Sequence, residues 1–221
     1  MKFENIDEYR QCRVVSNIMI SNTTAVLTIK RPFTFKAGQC INISVNKSIP
    51  PRIYSISSAE KNEYVEILYK IVKTGKLTPL LKELNENSLI AVSKPFGKFF
   101  ASPLPAWLIS SGTGIAPFLS MILSGYGENK VLIHGNGNLS DFYYSSMLEN
   151  KLGNNYIRCY TGSEKCDFIR GRVMNYLDSL ENIPIDNMYY LCGSAEMVVE
   201  IRDFLINKGV SFQNTLAEIY F

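Results

Sequence analysis

"LISSGTGIAPFLSMI", Leu108–Ile122, is the stretch on which the reading of this chain turns. An apolar, strand-like run enters Gly112-Thr113-Gly114, and a helical stretch with Pro117 near its start follows. Glycines let a backbone turn tightly and approach a pyrophosphate closely. The spacing is G-x-G-x-x-P rather than G-x-G-x-x-G, and no acidic ribose-binding residue follows the next strand-like run. The simple dinucleotide fingerprint is therefore incomplete, while the strand, glycine loop and helix in sequence still favour a bound nucleotide over a plain turn.

Outward from this stretch, strand-like runs at 107–110, 131–134, 157–160 and 189–192 alternate with helical stretches. Those stretches begin near Ala116, Ser140, Arg172 and Ala195. Such alternation predicts a doubly wound parallel sheet, whose ligand crevice lies at the C-terminal strand ends. In "MYYLCGSAEMVVEI", Met188–Ile201, a strand ends at Cys192-Gly193. Cys192 would stand beside the glycine loop if the two strands are neighbours; alone, it reads as a small buried thiol. The run "LAEIYF", 216–221, is strand-like, with Glu218 and Tyr220 on one face and Ala217, Ile219 and Phe221 on the other.

The first half differs. Short strand-like runs at 12–20, 25–31, 39–45, 52–57, 64–72 and 89–93 are separated by Gly, Pro and Asn, with one short helix at 79–84. This predicts a small antiparallel β-barrel. "ASPLPAW", with Pro103 and Pro105, is the expected boundary between domains at 1–102 and 103–221. In "PPRIYSISS", 50–58, Arg52 and Tyr54 share a strand face. A guanidinium can grip a phosphate through a forked pair of hydrogen bonds, and a phenol ring can lie on a planar cofactor. Alone, the stretch reads first as a core tyrosine and a surface arginine. In "KTGKLTPLLKEL", 73–84, Thr78-Pro79 is read as an N-cap followed by proline at the first helical position. A helix starting in a Gly-containing loop offers N–H groups to a phosphate, although capped helices are common without one.

Composition narrows the classes. The 221 residues suffice for one or two domains, and no apolar run approaches the length of a membrane span. Met1–Val15 is charged and lacks the apolar stretch of a secretion signal. Five cysteines without a C-x-x-C pair argue against zinc, an iron–sulfur cluster or a disulfide framework, so a reducing cytoplasm and no metal are expected. His134 has no partner at ligand spacing and reads as structural. Residues 1–102 carry 15 Lys/Arg against 8 Asp/Glu, and residues 103–221 carry 8 against 12. A basic first half suits an acidic partner, and the absence of a dense basic run with aromatics argues against nucleic acid.

Taken in order, these motifs resemble the ferredoxin–NADP reductase superfamily across essentially the whole chain. The bacterial ferredoxin/flavodoxin–NADP reductases, which also end on Ala-Glu, one residue, Tyr and an aromatic, are the closer match. The resemblance implies an FAD-dependent enzyme moving electrons between NADPH or NADH and an acidic ferredoxin or flavodoxin docked on the basic FAD domain, with a monomer favoured. It implies that Arg52 holds the FAD pyrophosphate, with Ile53 beside it, that Tyr54 packs on the isoalloxazine and that Ser55 sits near flavin N5. Tyr69, Lys70 and Ile71, with Gly75, Lys76, Leu77 and Thr78, would complete that site, and Thr113 would lie near the flavin. Gly112, Thr113 and Gly114 would hold NAD(P)H phosphates, and Cys192, Gly193 and Met197 would flank the nicotinamide. Glu218 would relay protons or stabilise charge during transfer, Tyr220 would stack on the second flavin face, and Phe221 would reach toward the adenine. Ser55, Cys192 and Glu218 are thus the expected catalytic residues.

The chain departs from the family in one respect. Arginines that would hold a 2′-phosphate are replaced by Gly137 and Ser163, while Arg172 remains in place and Arg170 or Lys165 could compensate. NADH use or weak discrimination is expected. The competing functions are a flavin or quinone reductase without a protein partner, and an FAD-binding subunit of a larger complex.

Overall fold

A computed structural model describes residues 9–220. It divides into two compact units, one of residues 1–100 with 116–124 and the other of residues 101–115 with 125–221, of which residues 1–8 and 221 lie outside the description.

The first unit is a six-stranded antiparallel sheet. Its strands are β1 (Arg10–Met19), β2 (Thr24–Lys30), β3 (Cys40–Ser44), β4 (Arg52–Ser55), β5 (Tyr64–Lys70) and β6 (Leu89–Val92), in the spatial order β4-β3-β6-β1-β2-β5. The two edges meet at the antiparallel bridge Ile56–Ile67, beside which Ser57 N–H donates to Glu66 O at 2.9 Å. The sheet thereby curls into the expected barrel. Alternation makes its interior: Ile41 and Ile43 of β3, Val65, Ile67 and Tyr69 of β5, and Ile90 and Val92 of β6 are all buried in one cluster. At Val15 the β1–β2 register slips by one residue, a bulge that sharpens the curl.

One short helix, α1 (Thr78–Lys82), packs on the barrel through Leu77 and Leu81. The expected Thr78 cap is not formed. Leu77 precedes the helix in a helical conformation without a side-chain cap, and Pro79 is the second helical residue. The Thr78 hydroxyl instead accepts from Val72 N–H at 2.9 Å, so it closes the loop upstream rather than capping its own helix.

Helix α2 (Ala116–Met121) is entirely buried and belongs to the first unit. Phe118 lies 5.9 Å from the Phe99 ring, and Ser120 Oγ donates to Ser58 O at 2.7 Å. Gly38, at φ 94°, is a real requirement: a Cβ there would stand 1.8 Å from Phe99 O and 2.8 Å from Met121 Cε.

The second unit is a six-stranded parallel sheet flanked by helices. It contains β7 (Ala106–Ser111), β8 (Lys130–Asn136), α3 (Ser145–Leu152), β9 (Tyr156–Tyr160), β10 (Ile169–Arg170), α4 (Val173–Asp178), β11 (Met188–Ser194), α5 (Ala195–Asn207) and β12 (Thr215–Tyr220). The order is β10-β9-β8-β7-β11-β12. The first strand, β7, therefore lies between β8 and β11, where the winding direction reverses. Ile109, Ile133, Cys159, Leu191, Val198, Ile201 and Leu205 fill one core.

A single α-helix beginning near Ser140 is not observed. A 3₁₀ turn covers Leu139–Asp141, Tyr144 takes a left-handed backbone (φ 59°), and α3 starts only at Ser145. Packing overrides local propensity there: the Phe142 ring sits edge-on to His134, Tyr160 and Phe168. Among the described residues no helix is long and apolar enough to cross a membrane.

Candidate functional site

In the first unit, Arg52 and Ile53 are exposed, Tyr54 is half-buried and Ser55 is buried. Arg52 pairs across from Ile43 and Tyr54 from Ile41, so the two side chains share a face of β4. Tyr54 packs against the barrel core, and burial raises its phenol pKa, with Tyr69 adding and Arg52 opposing. The phenol is thus a neutral ring and hydroxyl donor. Ser55 points the other way, 3.5 Å from Cys40 Sγ.

Tyr69 is buried and donates to Asn17 Oδ1 at 3.0 Å. Asn17 Nδ2 in turn donates to Leu81 O at 2.8 Å and Leu84 O at 3.1 Å, tying β1 to the end of α1. Asn17 had no signal in the sequence, since it reads as an ordinary strand polar residue. Lys70 and Lys76 are exposed, Ile71 and Gly75 half-buried and Leu77 buried. The Gly75 N–H bonds Val72 O at 2.8 Å, so Gly75–Thr78 is a tight, pinned loop.

In the second unit the motifs read separately from the sequence converge. β7 pairs with β11, Ser110 in register with Cys192. Gly112–Ile115 forms a 3₁₀ turn, with Gly112 at φ 53°, where glycine is favoured. A Cβ on Gly114 would lie 2.2 Å from Cys192 O, and one on Gly193 would lie 2.3 Å from Ser111 Oγ and 3.1 Å from Met197 Cε. Gly114 makes room for the Cys192 backbone, and Gly193 for the Ser111 side chain. Ser194 caps α5, accepting from Met197 N–H at 3.4 Å, and its own N–H donates to Ser111 Oγ at 3.3 Å. Ser111 was not singled out from sequence, although it directly precedes the glycine loop.

Glu218 pairs with Cys192, and Tyr220 with Ser194, across the β11–β12 ladder. Cys192 is fully buried and Glu218 half-buried, on the face opposite Ile219, which joins the core. Phe221 lies outside the described residues.

His134 also belongs to this edge, inside β8 and fully buried. Its Nε2 is 3.0 Å from Gly112 O and 2.9 Å from Asn136 Nδ2, and Nδ1 is 3.5 Å from Tyr156 Oη. Gly112 O only accepts, so that bond requires a proton on Nε2; a bond from the Asn136 amide requires Nε2 bare. Desolvation lowers the imidazole pKa to about 4, against smaller opposing effects of Gly112 and Asp141. A neutral histidine therefore bridges β8 to the glycine turn. Among the described residues no group of three His, Cys, Asp or Glu could hold a metal ion.

Comparison with known proteins gives this geometry a setting. Residues 11–100 match the model of the oxidoreductase FAD-binding domain, and residues 108–203 that of the oxidoreductase NAD-binding domain. The molecule is thus a flavin- and nicotinamide-nucleotide-binding oxidoreductase. It is 31% identical over 202 residues to the flavodoxin/ferredoxin–NADP reductase of Buchnera aphidicola, covering 80% of each chain. The chain belongs to the ferredoxin–NADP reductase family. It is 28% identical over 228 residues to protein RfbI of Salmonella typhimurium, covering 95% of this chain and 67% of that one. The fold is that of a ferredoxin NADP+ reductase from Neisseria gonorrhoeae with bound FAD and NADP, at a TM-score of 0.87, 19% identity and coverage of 97% and 99%.

Proposed function

We propose that the protein passes electrons between NAD(P)H and an acidic one-electron carrier, a ferredoxin or flavodoxin. The observation that supports this best is the convergence of Gly112–Gly114, Cys192-Gly193 and the Ser194-capped α5 at the C-terminal edge of the parallel sheet. β7 marks the reversal of winding there, which is where doubly wound sheets take a nucleotide.

The residues fit both groups. On β4, the exposed Arg52 offers a guanidinium fork to a pyrophosphate, and Tyr54 offers a neutral ring on the same face. Ile53, Ser55, Tyr69–Ile71 and Gly75–Thr78 complete the proposed FAD set. FAD, when bound, takes a hydride pair and gives up single electrons. Gly112, Thr113, Gly114 and Arg172 are assigned to the nucleotide, and Cys192, Gly193 and Met197 to its nicotinamide. The Glu218 carboxylate, in register with Cys192, holds or moves a proton at its oxygens. Tyr220 is assigned a stacking role toward the flavin. The FAD function is carried by residues 1–102 and the NAD(P) function by 103–221. The basic first half is the docking face for the acidic carrier, since complementary charge speeds encounter. The protein acts as a cytoplasmic monomer.

The test is direct. The purified chain should be yellow or take up added FAD, and a reduced nicotinamide nucleotide should bleach it without oxygen. A colourless protein that refuses FAD overturns the reading. Reduction of an acidic ferredoxin should slow with added salt; activity indifferent to salt would indicate a flavin or quinone reductase instead.

A further inference from the structure

We propose that the nucleotide site selects NADH over NADPH, and that Glu196 enforces the choice by occupying the arginine a 2′-phosphate would need. The inference rests on the proposed nucleotide site and names its substrate. A 2′-phosphate is a dense negative charge, held by forked arginine contacts or by lysine. In a doubly wound sheet the 2′ position is read from the end of the strand following the glycine loop. That strand is β8.

The C-terminal edge at β8 is assembled from three segments. Asn136 is in register with Tyr160, and Thr161 N–H donates to Asn136 O at 3.1 Å, which places 136–138 beside 160–164. Gly171 N–H donates to Tyr160 O at 3.0 Å, adding 170–172. A Cβ on Gly135 would stand 2.7 Å from Val173 Cγ2, so the start of α4 lies directly on β8.

Every arginine in these segments is engaged. Arg170 donates to Gly162 O and Glu164 O, and its guanidinium lies 5.1 Å from the Tyr160 ring centre. Arg172 is in a 2.9 Å ion pair with Glu196, in the first turn of α5. Lys165 is exposed but stands between Glu164 and Asp167 in the chain. Asn138 donates to the buried Asp141 carboxylate at 3.1 Å. A phosphate here would have to draw Arg172 from a carboxylate or Arg170 from two carbonyls, with the Glu196 charge left nearby. The neutral Thr161 hydroxyl, which a Cβ on Gly137 would meet at 3.6 Å, suits a sugar hydroxyl. The Arg172–Glu196 pair is largely exposed, so its effect is moderate and falls with salt.

The test uses the full FAD-loaded chain in low salt. Calorimetry should show adenosine diphosphate ribose binding at least tenfold more tightly than its 2′-phosphorylated form. NADH should bleach the flavin at correspondingly lower concentration than NADPH. Glu196→Gln should narrow the binding gap about threefold, and Glu196→Lys should narrow it further; 0.3 M salt should erase the difference between the variants. Equal or tighter binding of the 2′-phosphorylated ligand by the native protein overturns the selection. An unmoved ratio in both Glu196 variants overturns the role of Glu196. If neither ligand binds and neither nucleotide bleaches the flavin, the nucleotide-site reading itself fails and the inference with it.

Discussion

Acidification should destabilise this protein through His134. The imidazole is fully buried and its pKa falls to about 4 from an ordinary 6.5, because burial penalises the charged ring more than Gly112 and Asp141 favour it. The unfolded chain then binds a proton that the folded one refuses, so stability rises with pH across that interval and is lost as pH falls from 6.5 toward 4. The linkage gives a loss of about 2 kcal/mol by pH 5 and about 3 kcal/mol by pH 4, levelling below that. Beyond Gly112 and Asp141, the ring's neighbours carry no charge: the Phe142 ring is edge-on at 5.2 Å, and Tyr156, whose own pKa is pushed up to about 12, is neutral. Denaturant unfolding at pH 7 and pH 5 measures the loss, and carboxylates contribute to it too. The same pair of measurements on His134→Gln isolates the histidine, because the amide cannot titrate and should remove about 2 kcal/mol of the pH dependence. A His134→Gln protein that folds with an unchanged pH slope would refute the argument.

Three further outcomes follow from particular contacts. Gly114→Ala forces a Cβ to within 2.2 Å of Cys192 O, and should lower stability by about 2 kcal/mol and weaken nucleotide binding in calorimetry. Asn17→Ala removes the acceptor of the Tyr69 hydroxyl and the donor to the Leu81 and Leu84 carbonyls, at about 2–4 kcal/mol, read as a shift in the denaturant midpoint; an unshifted midpoint would mean water replaces the amide. A thiol reagent at pH 8 should modify only Cys166 quickly, since Cys12, Cys40, Cys159 and Cys192 are buried and burial pushes Cys159 up to about 12; rapid loss of Cys192 would contradict its placement.

Much of this architecture was legible because the signals are local. Alternation marked the strands within a residue or two: Tyr64–Lys70 was read as 64–72, and Met188–Ser194 as 189–192. The glycine loop and Cys192-Gly193 were legible as turn chemistry, although not the reason for Gly114 and Gly193, which is contact between strands remote in sequence. Errors came where a side chain serves a distant partner. Thr78 looked like a cap and instead holds Val72, and the run after Asn138 looked helical while Phe142 is drawn into an aromatic cluster. The strand orders were not legible from propensity, since non-neighbouring strands pair through long-range packing.

His134 shows the same rule at the site itself. From sequence it reads as a structural residue at a strand end, and the structure places it inside β8 and fully buried. Its ring faces a carbonyl of the left-handed Gly112, an atom that no local motif connects to β8. A glycine at positive φ is conformationally loose in isolation, so a turn built on one is fixed by an external contact. The imidazole supplies it through Nε2–H donated to Gly112 O, and protonating the ring would keep that donor but put a charge in the sheet interior. The ring that holds the glycine turn is therefore also one whose burial makes the fold lose stability in acid. Because the folded ring stays neutral down to about pH 4, nucleotide affinity should hold between pH 7 and pH 5 while stability falls, and an affinity that drops in step with stability in the native protein but not in His134→Gln would contradict that separation.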